Sequence, residues 1–414
     1  MKTLIQNKNP LIKNNQQKYF YCYILIIVAL FSVFSFGVNE VGATTQIAQN
    51  LQSTNTTQAT QNTQNFLYAT TSNAISSIFN SGTLDSTSTD LSKINFHIND
   101  ASSSIIGLPN INKISAPEIV AKNAVVYDIT NKEFIYAKNA DDPVPMASLV
   151  KVITAALFLK LDNARQKQGN QTETVQIVKK SVGYNQGDRD LINGEFWKKE
   201  NLIRYMLITS SNFAAQSLAN SIIDDEFAFA LLMNKTVKDL GFKSFNFKNT
   251  SGLSIPNPSY NPKKIVLTAT STIPKQIPSA IGSAKEIAIL FNSIFTSIPF
   301  LGEASIVHEA TFLNWSGNTH DTKNVNGSLA EIPNIVAGKT GTTDESGGNL
   351  MIIINANQKK YAIVLLGSTI EDRYIDTAKL ASSTEIFSIT NGASSTLTNG
   401  TSTTLSTGAF APLK

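Results

Sequence analysis

Apolar and polar positions alternate where the patterned part of the chain begins. In NAVVYDIT (123–130) and KEFIYAKN (132–139) the alternation has period two, and a turn separates the segments, so together they predict a β-hairpin. From 147 to about 295 the period becomes helical. LVKVITAALFLKL, KKENLIRYMLITSSNFAAQSLANSII, EFAFALLMNKTVKDLGF and SAKEIAILFNSIF carry apolar residues three and four apart, and Gly241 stands where a helix C-cap belongs. Three strand candidates follow, IVAGKTG, NLMIIINAN and KYAIVLLGST, then a closing helix from about Glu371. Strands at both ends of a helical middle predict an α+β domain. Its five strands form one antiparallel sheet assembled from the chain's two extremities, flanked by helices, with a mostly helical subdomain inserted.

The patterning fades outside residues 116–388. Residues 44–115, with TTQIAQNLQSTNTTQATQNTQN and SGTLDSTSTD, are rich in Ser, Thr, Asn and Gln and predict a flexible tether. As a coil of about 70 residues it would span roughly 45 Å end to end. FLYATTSNAISSIF (66–79) predicts a transient helix with no assigned role, and 389–414 predicts a disordered Ser/Thr-rich tail. Residues 1–43 differ. Lys2, Lys8, Lys13 and Lys18 precede YFYCYILIIVALFSVFSFGV (19–38), an uncharged run about long enough to cross a bilayer at roughly 20 residues. The chain is therefore expected to be exported. Val41-Gly42-Ala43 resembles a signal-peptidase site, which would give a secreted protein, while the length of the run favours an anchor at the extracytoplasmic membrane face. Cys22, at the start of the run, reads as an apolar membrane-embedded side chain rather than a lipid attachment point.

Charge and rare residues narrow the chemistry. With 34 basic and 30 acidic residues, and no Lys/Arg run longer than two in the patterned part, nucleic acid is not expected as a partner. The one cysteine, Cys22, rules out a disulfide framework or a Cys nucleophile in the domain, and neither a metal nor a cofactor is expected. His97 lies in the tether, and His308 and His320 read as solvated residues of unpatterned loops. A histidine-based triad has no candidate base.

What does stand out is PMASLVK (145–151). It seats Ser148 and Lys151 three residues apart at the start of a strongly apolar helix, on one face, within reach of each other. In the first helical turn, free N–H groups and the positive dipole end favour an oxyanion at Ser148. For Lys151 to take a proton it must lose its own near neutral pH, against a free pKa of about 10.4. Burial is expected to do part of this and a second cation more. Lys339 in GKTGTTDESGGNL (338–350) is the candidate cation, bracketed by Gly338 and Gly341, which allow close approach of another backbone. S-x-N occurs at Ser53, Ser210, Ser244, Ser259 and Ser316. Ser210-Ser211-Asn212, at a helix-to-helix turn, is the preferred one, and Ser316-Gly317-Asn318 is its rival.

S-x-x-K, S-x-N and K-T-G in that order are the signatures of penicillin-binding proteins and serine β-lactamases. PMASLVKVITA, GEFWKKENLIRYMLITSSNFAAQSLAN, SAKEIAILF, VAGKTGTTDESGGNLM and LLGSTIEDRYIDTAKL resemble the D-alanyl-D-alanine carboxypeptidase family of low-molecular-mass penicillin-binding proteins, over about residues 117–388. The resemblance implies a β-lactamase/transpeptidase-like fold, a peptidoglycan stem peptide ending in D-Ala-D-Ala as substrate, and β-lactams as covalent inhibitors. It makes Ser148 the nucleophile and Lys151 its base. The N–H groups of Ser148 and Thr342 would form the oxyanion hole. Lys339 and Thr340, beside Gly341, would bind the terminal carboxylate, on a strand that pairs with the extended peptide. Ser210 would pass a proton to the leaving amine and Asn212 would hold the substrate amide. Phe213 departs from the family, which has Asp there, and the β-domain and amphipathic anchor that many relatives carry after the catalytic domain are missing. A D,D-endopeptidase would use the same residues. A class A β-lactamase needs a Glu about 35 residues past S-x-N, where GFKSFNFKNTSGL has none. A penicillin-binding sensor that acylates without turnover is the alternative of another class.

Overall fold

Five strands pair antiparallel into the central sheet of the computed structural model: β1 (Asn123–Asp128), β2 (Glu133–Lys138), β3 (Ile335–Thr343), β4 (Gly347–Ala356) and β5 (Lys359–Ser368), in the order β3-β4-β5-β1-β2. The structure describes residues 117–166, 169, 172–179, 188, 190–260 and 274–383. The expectations for the apolar N-terminus, tether and tail lie outside the described residues. The N-terminal hairpin joins the C-terminal meander through β1 and β5, in register from Asn123 opposite Leu366 to Asp128 opposite Tyr361.

Both faces of the sheet are covered, which is why β4 reads as an unbroken apolar run rather than an alternation. Leu350, Ile352 and Ile354 face one way and meet Ala124, Val126, Ile363, Leu365 and, from the last helix, Leu380. Met351 and Ile353 are also buried, with side chains on the opposite face. The helices are α1 (Val150–Gln166), α2 (Lys199–Thr209), α3 (Asn212–Ile222), α4 (Glu226–Asp239), α5 (Ala284–Ser297), α6 (Pro299–Ser305), α7 (Ser328–Glu331) and α8 (Asp372–Ser383). Of these, α8 packs on β4 and β5, and α5 on β1 and β5. Sequence-encoded stops place several helix ends. Ser211, Asp225 and Ser283 cap α3, α4 and α5 by accepting first-turn N–H bonds. Past α4, Gly241 adopts φ +89° and donates to Lys238 O while Phe242 donates to Val237 O, a Schellman closure.

One expectation fails. His320 does not lie in a solvated loop. Glu309–Leu313 and Thr319–Lys323 form a hairpin, and His320 is 5% exposed on its inner face, its ring 4.7 Å from that of Trp197. The inward pairs, Ala310 with Thr322 and Phe312 with His320, are chemically mixed, and apolar Leu313 points outward, so no apolar alternation marks the strands. His308 is exposed, as the sequence suggested.

Candidate active site

The nucleophile turn forms where the chain passes from the sheet side into α1. Ala147–Leu149 make a single 3₁₀ turn that runs into α1, and Ala147 holds φ +48°, unusual for a residue with a Cβ. Ser148 therefore sits in a tighter turn than the α-helical one expected, yet the three-residue spacing still brings the pair together. Lys151, fully buried, places Nζ 2.7 Å from Ser148 Oγ, 2.8 Å from Asn212 Oδ1 and 2.7 Å from Ser251 O. As an ammonium it donates all three bonds. As an amine it donates to Asn212 and Ser251 and accepts from the Ser148 hydroxyl, the orientation a base requires.

Burial pulls the Lys151 pKa down to about 7, against the opposing pull of Asp188 and Glu226. This reverses the ranking expected from sequence, where a second cation was to do more than burial. Lys339 is itself held well below the usual lysine range, first by burial and then by Lys151 and Arg373. The site thus disfavours two charged amines side by side.

The opposite wall is the break between α2 and α3. Ser210 ends α2 in the left-handed conformation, φ 60° and ψ 30°, and its Oγ accepts a 2.9 Å bond from Lys339 Nζ. Asn212 begins α3 with Oδ1 on Lys151, while its Nδ2 is buried with no partner among the described residues, a donor left for a ligand carbonyl. Ser211 turns away from the site. It donates to buried Asp188 at 2.5 Å and accepts from Ala214 N, and Asp188 also accepts from Phe213 N. Phe213, the departure from the resemblance noted in the sequence, supplies only its backbone N–H to this clamp. The rival Asn318 lies in the Glu309–Lys323 hairpin, bonded to Glu195 rather than to Lys151.

The third wall is β3, the free edge of the sheet. Gly338 N bonds to Ser305 Oγ, away from β4. Backbone groups of an antiparallel strand alternate sides, so the N–H groups of Thr340 and Thr342 share that outward direction. Both N–H groups thus lie on the unpaired side of the strand. Lys339, 1% exposed, also bonds Thr340 O at 2.9 Å, and Thr340 is buried. A Cβ on Gly341 would stand 2.7 Å from Met146 O and 3.2 Å from Ser148 N. Only glycine lets β3 lie this close to the nucleophile turn. Thr342 is exposed, and its Oγ1 accepts a 2.9 Å bond from Arg373 Nη1 of α8.

Several contributors escape a sequence reading. Ser251 offers only its carbonyl, which no motif marks. Gly252 follows it at φ +79°, and a Cβ there would fall 2.2 Å from Ala147 O. Asn349 bridges the β4–β5 bend to the nucleophile turn, donating to Pro145 O and accepting from Gly367 N. Arg373, 6% exposed, brings a permanent cation to the K-T-G strand from a helix with no motif of its own. Among the described residues no group of three or more His, Cys, Asp or Glu is placed to hold a metal ion.

A buried serine–lysine pair facing a serine–asparagine wall and a K-T-G edge strand, on this sheet, defines an active-site serine acyltransferase of the penicillin-binding class. The family model for D-alanyl-D-alanine carboxypeptidase matches residues 110–369, and the chain belongs to that family. It is 28% identical over 258 residues to a D-alanyl-D-alanine endopeptidase of Escherichia coli K12, spanning 61% of this chain and 73% of that one. To D-alanyl-D-alanine carboxypeptidase DacA of Haemophilus influenzae it is 26% identical over 275 residues, 64% and 62% of the two chains. Penicillin-binding protein D2 of Listeria monocytogenes, solved with cefotaxime bound, superposes with a TM-score of 0.53 at 24% identity, over 65% of this chain and 98% of that one, and shares the fold.

Proposed function

We propose that the protein is a serine-type D-Ala-D-Ala carboxypeptidase that trims peptidoglycan stem peptides through an acyl-enzyme on Ser148. The observation that carries this reading is the 2.7 Å contact between Ser148 Oγ and an amine whose pKa is near 7. Ser148 Oγ attacks the carbonyl of the penultimate D-alanine as Lys151 takes its proton. The developing oxyanion accepts from Ser148 N and Thr342 N. Ser210, linked to Lys339, relays the proton that Lys151 took to the leaving amine, which returns Lys151 to its free-base form as free D-alanine departs. Water then attacks the ester with Lys151 again as base. Lys339, Thr340 and Arg373 converge on one end of the β3 edge, where a terminal carboxylate completes the charge balance. That carboxylate would draw Lys339 back to its charged form. The membrane-proximal placement belongs to the same proposal: an apolar segment at 19–38 and a tether at 44–115 would hold the domain at the extracytoplasmic face.

A D,D-endopeptidase is the second reading, favoured by the name of the Escherichia coli relative. A labelled penicillin is expected to attach covalently to the protein and not to Ser148→Ala. Labelling of that variant would remove Ser148 from the mechanism. Incubation with a pentapeptide ending in D-Ala-D-Ala is then expected to release D-alanine. Cleavage of crosslinked dimers without such release would assign the endopeptidase, and acylation with neither product would assign a sensor.

A further inference from the structure

A second concavity, sharing no lining residue with the Ser148 site, lies between segment 190–192 and the Glu309–Lys323 hairpin. Its volume is about 630 Å³, and Asp190, Ile192, Asn318, Thr319 and Asp321 line it over the buried His320. Both walls are tied to one buried carboxylate. Glu195 accepts from Ile192 N at 3.1 Å on one side and from Asn318 Nδ2 at 2.9 Å on the other, and Trp197 Nε1 also donates to it. Both walls are thus fixed to one buried group of the fold.

Its chemistry is mixed in a specific way. Trp315 is 64% exposed, Leu313 61%, Ile192 56% and Phe196 42%. Trp315 N donates to Phe196 O at 2.7 Å, so the two aromatic residues are neighbours at one end of the hairpin, with Lys198 Nζ 6.0 Å from the centre of the indole ring. Large apolar side chains left in water beside a cleft mark an interaction surface. The lining itself offers acceptors and no Lys or Arg. Two carboxylates without a lining cation repel an anionic polymer and welcome hydroxyl donors. A flat aromatic face next to acceptors for hydroxyl groups suits a sugar ring, whose C–H face packs on the indole while its hydroxyls donate.

Position fits the polymer to which stem peptides are attached. Asp188, which clamps Ser211 and Phe213 N, is two residues from Asp190, about 7 Å of extended chain. The cleft therefore has one wall within about 7 Å of chain from the residue that clamps the Ser210–Asn212 turn. We propose that it is a subsite for the glycan strand bearing the stem peptide, with Trp315 stacking on a sugar ring and Asp190 and Asp321 accepting its hydroxyls. This rests on the peptidase reading for the identity of the polymer.

The test uses the full chain carrying Ser148→Ala, titrated with neutral N-acetylhexosamine oligomers that carry neither peptide nor carboxylate. Binding is expected, weakened about tenfold by Trp315→Ala and again by Asp190→Asn. In the active protein the same changes are expected to leave D-alanine release from a free pentapeptide unaltered and to slow release from glycan-linked peptides. No binding of peptide-free glycan, or equal binding by the Trp315→Ala variant, overturns the proposal. So does retention on a sugar-free peptide polymer in place of glycan. Failure of the Ser148 protein to release D-alanine from the free pentapeptide strikes the peptidase reading instead and leaves the glycan titration to be judged alone.

Discussion

At the scale of single residues the chemistry reduces to where one proton resides. Lys151 has three acceptors within 2.8 Å and no water-accessible surface, so its charged form is tolerated but costly. The linkage sign follows from the lowered pKa. Below about 7 the folded protein carries the buried charge, and the cost is relieved as pH rises from there toward the unfolded lysine value. The base function has the same direction, since only the amine can accept the Ser148 proton. Acylation by a β-lactam is therefore expected to rise with pH and level off, with an apparent midpoint near 7. Stopped-flow labelling over roughly pH 5.5 to 8.5 checks this, and a flat or falling profile would deny Lys151 its role. The identities of Ser148 and Lys151 were readable because a fixed spacing on a helix maps directly to distance. Burial was foreseen as one cause of the low pKa but its dominance was not, since desolvation depends on segments 61 and 100 residues away that close over the amine.

Elements matter here chiefly through how closely their backbones approach. The nucleophile turn is gripped by two glycines from different elements, Gly252 of the loop after α4 and Gly341 of β3. Of the two, Gly341 gives the cleaner experiment, because its backbone lies outside the left-handed region and only its missing Cβ is at stake. Gly341→Ala must push β3 away from Met146 and Ser148, which moves Thr342 N out of line with the reacting carbonyl. Acylation is expected to fall about a hundredfold, the scale of a 1 Å misplacement. Unfolding should shift by about 1–3 kcal/mol at most. Acylation rate and thermal melting measured on one preparation separate the two, and an unchanged acylation rate would mean the strand edge does not set the oxyanion hole. Gly341 was visible in the sequence as a site of close approach. Gly252 was not, since the SGL it sits in has no period and no motif, and the partner it touches is more than 100 residues earlier. The Glu309–Lys323 hairpin was missed for a related reason, its buried side holding a histidine where the pattern needed an apolar residue.

For the whole molecule, the question is what joins the chain's beginning to its end. The alternation of β1 and β2 and the apolar runs of β4 and β5 were enough to predict one sheet from two extremities, because long strands need long partners and the middle of the chain forms only strands of two or three residues before Glu309. The fastening was hidden. Asp376, fully buried on α8, accepts from Val120 N at 3.1 Å, Ala121 N at 2.8 Å and Ser368 Oγ at 3.0 Å. Lys379 Nζ reaches Glu118 O at 2.9 Å, and Lys122 N pairs with Leu366 O. Residues just ahead of β1 therefore act as a strap across the last helix rather than as part of a tether. A fragment of residues 116–388 is expected to fold and to take labelled penicillin. A fragment beginning at Lys122 loses both N–H donors to Asp376 together with the core side chains Ile119 and Ala121, and the carboxylate left with a single hydroxyl partner alone costs about 1–3 kcal/mol. For a domain of this size that lowers the melting temperature by roughly 2–4 °C per kcal/mol. Ser148 and its neighbours are untouched by the cut, so labelling at 25 °C should persist in the shorter fragment while its melting temperature drops. Equal melting of the two fragments would show that strand pairing alone closes the domain.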